Sequence, residues 1–136
     1  MAFVNLKEKE IQVKIVYYGP GRGGKKSNLE YINRKFANRI KTEMATVKTH
    51  GDRTPFFDFL PFDIGLIKIP FVMQYNKIDL KEQGIPLLPM AILERDLNSK
   101  LAKTSFASSA ALGTNVIETL KRIISLTVIS IKKDLI

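Results

Sequence analysis

The chain has 136 residues, 45% hydrophobic and 26% charged, with 22 Lys/Arg against 13 Asp/Glu and a net charge of +9. That balance is globular, and the length suits one compact domain over 1–136. With no cysteine and a single histidine, His50, the sequence excludes disulfides, thiolate metal sites and His-rich metal sites.

The first ten residues, MAFVNLKEKE, lack the charged start, apolar core and small-residue cleavage site of a signal peptide. No apolar run is long enough to span a bilayer, so a cytoplasmic protein without integral membrane association is expected. Residues 11–18, IQVKIVYY, place Ile11, Val13, Ile15 and Tyr17 on one face of a strand. Val16 and Tyr18 make the second face apolar as well, which predicts a strand buried on both sides toward its end. GPGRGGKKSN follows directly as a glycine-rich turn. Leu29, Ile32, Phe36 and Ile40 then fall on one helical stripe.

Residues 41–53 read as loop. The apolar region that follows is broken by Pro61, Gly65 and Pro70, and predicts strands over 55–60 and 71–75. The second of these, FVMQY, is short and mostly apolar, as a buried parallel strand should be. A helix is expected from about Leu88 to Met90 onward, and a strand over 104–108. The final helix carries the stripe Val116, Ile117, Leu120, Ile123, Ile124, Thr127, Val128 and Ile131. Asn115 with Glu118 three residues on forms a candidate capping pair.

Two motifs bear chemistry. The first is a Walker-like loop with Gly19, Gly21, Gly23, Gly24 and Lys25. Glycines let backbone N–H groups wrap phosphate oxygens, the helix N-terminus adds positive potential, and Lys25 supplies a point charge. Such loops next place a Ser or Thr whose hydroxyl binds Mg²⁺. Here that position is Lys26, and an ammonium has no lone pair to offer a metal. Ser27 comes one residue late, about a third of a turn round the helix. The second motif is Asn76-Lys77-Ile78-Asp79, directly after FVMQY. A carboxylate such as Asp79 can accept from the N1–H and amine of guanine, a donor pair that adenine lacks. Asn76 would hold the loop, and the stem of Lys77 can stack on the base. Ser109-Ala110 would offer a backbone N–H to the guanine oxygen.

Taken together, KIVYYGPGRGGKKSNLEYI, GDRTPFFDFLPFDIG, FVMQYNKIDL and GTNVIETLK resemble the MglA-like gliding and polarity GTPases, a bacterial branch of the Ras superfamily. The resemblance implies an α/β P-loop NTPase fold of three layers, GTP/GDP as ligand, Mg²⁺ as a weakened cofactor, and a roadblock-type GTPase-activating partner. It assigns Thr54 to sensing the γ-phosphate and Mg²⁺, and Arg53 to assisting hydrolysis. Thr54 and Ser27 are then the weak metal candidates. Phe56, Phe57, Phe59 and Phe62 read as strand and core with or without the family.

The departures are as informative. The family has GGKTT where this chain has GGKKS, and a small apolar residue where it has Arg22. A guanidinium there can touch phosphate or crowd it. Pro55 stands in place of an apolar strand residue and removes a ladder donor. After FDIGLIK the sequence passes straight to IPFVMQYNK, omitting the switch II segment, a helix and two strands, roughly 45 residues at average element lengths. In a Ras-like sheet the omitted strands are both neighbours of the first, so IQVKIVYY must find new partners; FVMQY lying parallel beside it is one solution. A chain that does not fold alone is another.

Three function classes follow. One is a guanine-nucleotide-binding protein with impaired hydrolysis. A second is a non-catalytic interaction module or the product of a decayed gene. The third, a nucleic-acid or anionic-surface binder, rests on charge alone. Residues 1–53 carry 12 Lys/Arg against 5 Asp/Glu, but these are scattered and no nucleic-acid motif accompanies them. No nucleic-acid partner is therefore expected.

Overall fold

The structure is a computed structural model that describes residues 2–5, 7, 10–13, 15–39 and 70–134. The strand expected over 55–60, the phenylalanines around it, Arg53 and Thr54 lie outside the described residues.

Two small sheets are present among the described residues. β1 (Ala2–Asn5) and β2 (Glu10–Val13) form an antiparallel hairpin with Ala2 opposite Val13 and Asn5 opposite Glu10. This corrects the expectation of one strand running to the glycine loop, because residues 15–19 are not strand. Ile15 and Tyr17 stay half-buried, whereas Val16 is 69% and Tyr18 59% exposed. The first face of the predicted strand therefore persists and the second does not. A ladder needs a neighbour, and the local hairpin supplies one for 10–13 only.

β3 (Met73–Tyr75) and β4 (Ser105–Ala107) pair in parallel, with Gln74 opposite Phe106. Bonds from Met73 N to Thr104 O (2.9 Å), Ser108 N to Tyr75 O (2.8 Å) and Ile78 N to Ser108 O (3.1 Å) extend the ladder at both ends. FVMQY thus takes its partner from the 104–108 segment, and the alternative pairing with residues 11–18 is not adopted. A parallel pair needs a crossover. Here it runs through a 3-10 turn (Ile78–Lys81) and α2 (Met90–Leu93), which continues as a π-helical turn over Glu94–Asn98. Asn98 is buried and closes the return to β4. Its Nδ2 donates to Glu94 Oε2 and Lys103 O, both at 2.8 Å, and its Oδ1 accepts from Lys103 N at 2.9 Å.

Two longer helices flank this unit. α1 (Lys25–Lys35) starts at Gly24 and ends at Phe36. α3 (Val116–Asp134) covers the sheet, where Gln74 Nε2 donates to Thr119 Oγ1 at 3.1 Å. α1 meets the turn that leads into α3 at Gly113, where a Cβ would collide with the ring of Tyr31 and the backbone φ is +79°. Two expected stripes are only partly covered. Leu29 is 43% exposed while its neighbour Asn28 is buried, and Ile124 is 40% exposed. The proposed Asn115–Glu118 cap is also corrected. Asn115 is left-handed (φ 54°) and its amide donates instead to Ala107 O at 2.7 Å. The described residues thus contain a small α/β unit, whose buried centre is Val116, Ala110, Ser108, Ser109, Thr119 and Asn28.

Candidate functional site

Three loops meet at the C-terminal end of β3 and β4: the glycine loop 19–24, the NKID segment 76–79 and residues 108–111. Open parallel sheets place ligand sites at this end of their strands. Asn76 joins the three. Its Nδ2 donates to Gly23 O at 3.0 Å, and its Oδ1 accepts from Ala110 N at 2.9 Å. Gly24 permits the contact, since a Cβ there would collide with Asn76 Nδ2 and the residue is left-handed, with φ 88°.

Gly23 N returns to Pro20 O at 3.2 Å, which closes the glycine turn. Lys25 folds back over it, with Nζ donating to Gly19 O and Pro20 O at 2.7 Å each. No side chain caps the N-terminus of α1 and its first turn holds no acidic residue. Lys77 is left-handed (φ 74°) and opens the 3-10 turn that carries Asp79. Asp79 is half-buried; its carbonyl accepts from Glu82 N at 3.1 Å, and its carboxylate makes no hydrogen bond or ion pair among the described residues. The left-handed backbone at Lys77 is uncommon for a non-glycine residue.

A cavity of about 150 Å³ lies between these segments, lined by Ser27, Asn76, Lys77, Asp79, Leu80, Ala110 and Ala111. Ser27 thus lies on the wall beside the NKID loop. The expectation for Ser109-Ala110 requires revision. Ser109 N donates to Thr114 O at 3.0 Å and Ala110 N to Asn76 Oδ1, so both amides are engaged within the protein. Ala111, which the sequence did not single out, lines the cavity and its N–H has no bond among the described residues. Leu80 was also missed. It supplies apolar wall, and only its place one residue after the motif hinted at it.

These groups fit a purine nucleotide. There is an unpaired carboxylate on a base-sized cavity, a lysine stem beside it, and a glycine loop with its lysine at the mouth of a helix. They do not fit a phosphate-bound Mg²⁺. Lys26 lies 3.5 Å from Glu30 Oε1 across one helical turn, with its side chain 68% exposed, and offers no lone pair. Among the described residues, no group of three or more His, Cys, Asp or Glu could hold a metal. No described helix is long and apolar enough to cross a membrane.

Among curated proteins, the chain is 50% identical over 68 residues to the mutual gliding-motility protein MglA of Myxococcus xanthus (strain DK1622). The match covers 50% of this chain and 35% of that protein, so the chain spans about a third of the relative's length. No protein-family model and no solved structure matches it. Over that half of its length the chain is similar to MglA.

Proposed function

We propose that this chain binds guanine nucleotide, GTP or GDP, as a small-GTPase-like protein of the gliding-motility and cell-polarity family, with impaired hydrolysis. The observation that carries this reading is Asn76, bonded at once to Gly23 of the glycine loop and to Ala110 of the loop after β4. One side chain ties the glycine loop and the loop after β4 to the NKID segment, which supports the reading of these loops as one site. Lys25 and the first turn of α1 take the phosphates with Gly19, Gly21, Gly23 and Gly24. Asp79 selects guanine by accepting from its N1–H and amine, and Lys77 stacks on the base. Ser27 and Ala111 close the cavity wall. Within this reading the whole of 1–136 is a reduced, Ras-like G-domain unit, and Arg53 and Thr54 serve the terminal phosphate. A roadblock-type protein is the partner expected from the family.

Impaired hydrolysis is supported by Lys26 and by the omission of the switch II segment, which in the family the chain resembles would position the attacking water. Lys26 and the omitted switch II segment also support a second reading, in which the chain is a non-catalytic interaction module that binds a partner without cycling, or the product of a decayed gene. Titration with fluorescent GDP, with fluorescent ADP and Lys25→Ala as controls, tests the main proposal. Saturable binding that prefers GDP and needs Lys25 is expected. A folded chain that binds neither nucleotide would refute it.

A further inference from the structure

The glycine loop carries three cations within residues 22–26, Arg22, Lys25 and Lys26. Each is placed differently. Lys25 is folded onto the loop carbonyls of Gly19 and Pro20. Lys26 is drawn along the outer face of α1 toward Glu30. Arg22 sits at the crest between Gly21 and Gly23 in a left-handed conformation, φ 58°, and is exposed without a bond to any described residue. The position that should give a metal its hydroxyl gives an ammonium, and the next hydroxyl, Ser27, lines the cavity beside the NKID loop. A nucleotide diphosphate bound here would meet cations on the protein where a divalent ion is usually needed to offset its charge.

We propose that this site binds its nucleotide without a divalent cation, with the Arg22 guanidinium and Lys25 ammonium neutralising the phosphates. The inference rests on the nucleotide-binding reading above. Several features make it physically coherent. Cations crowded at a helix N-terminus are unfavourable until an anion joins them, and no acidic residue in the first turn of α1 does so. Arg22 presents five donors in a planar fork, which matches two phosphate oxygens at once. Its left-handed backbone puts an uncommitted, exposed side chain at the crest of the loop.

The test is titration of fluorescent GDP into the full chain, with Mg²⁺ present and with excess chelator. Affinities that agree within about threefold are expected, and Arg22→Ala should weaken binding about tenfold in both buffers. Arg22 is exposed, so the variant should keep the parent's circular dichroism. Inorganic pyrophosphate should compete equally well in either buffer. Lys26→Thr places a hydroxyl after Lys25 and should make binding Mg²⁺-dependent. Parent binding strengthened tenfold or more by Mg²⁺ would overturn the inference while leaving nucleotide binding intact. So would a Lys26→Thr chain indifferent to Mg²⁺, or an Arg22→Ala chain with unchanged affinity. No saturable binding in either buffer by a folded chain would overturn both readings together.

Discussion

The side-chain amide of Asn76 donates to the carbonyl of Gly23, 53 positions earlier in the chain, at 3.0 Å. The same side chain accepts from Ala110 N. Three loops therefore depend on one residue, and Asn76→Ala leaves a part-buried carbonyl and a part-buried amide without partners. Each such loss costs about 1–3 kcal/mol. Urea denaturation should show a lower midpoint for Asn76→Ala, and GDP affinity should fall with it. An unchanged midpoint would mean that water replaces both bonds.

Asp79 behaves differently, because its carboxylate has no partner among the described residues. Asp79→Ala should leave the thermal midpoint within a degree or two of the parent, because no bonded partner of the carboxylate is lost. Its effect should fall on selectivity. The preference for GDP over ADP should drop by about 10²-fold or more, since unpaired polar edges discriminate strongly. Competition of the two nucleotides against a fluorescent analogue measures it.

Gly113 and Tyr31 report on the docking of α1 against α3. Gly113→Ala puts a methyl into the Tyr31 ring and places alanine at φ +79°. The backbone component costs about 1–2 kcal/mol, and the collision adds to it. Tyr31→Ala removes the collision but not the backbone strain. The double variant should therefore be more stable than the sum of the single losses implies. Strict additivity in a denaturation cycle would show that ring and methyl do not meet.

Glu94 links the π-helical turn to the sheet. The Ser105 hydroxyl first and then the Asn98 amide hold its carboxyl below the ordinary 4.5; burial opposes them, and the Tyr75 phenol adds the smallest share. Asn98 is the firm anchor, because neither Glu94 Oε1 nor Tyr75 Oη completes a hydrogen bond of ordinary geometry. A carboxyl depressed by folding stabilises the native state above its unfolded pKa, and that stability disappears as pH falls through the folded value. The parent should therefore lose stability below about pH 4.5 more steeply than Glu94→Gln. Parallel acid limbs in the two melting profiles would remove Glu94 from the acid response.

Much of the site could be read from the chain because each motif is local. The glycines and Lys25 of the loop, the apolar strand before NKID and the short strand before Ser108 are patterns of neighbouring residues, and backbone sterics and side-chain period dictate them. Lys26 in the hydroxyl position is equally plain, since the chemistry of an ammonium needs no fold to interpret it. The long apolar stripe of α3 was legible for the same reason.

Other features were decided by partners distant in sequence. IQVKIVYY has the composition of a buried strand, yet its ladder depends on what lies beside it. A local hairpin took residues 10–13 and left Val16 and Tyr18 in solvent. Ala110 N looked free for a ligand until Asn76 was placed against it, and Asn115 looked like a cap until Ala107 O came within 2.7 Å. The sequence by itself determined which chemical groups are available and the order in which loops, strands and helices carry them. Tertiary structure alone decided which hydrogen-bonding groups are already consumed and which remain, because each donor hydrogen goes to whichever acceptor the fold brings near.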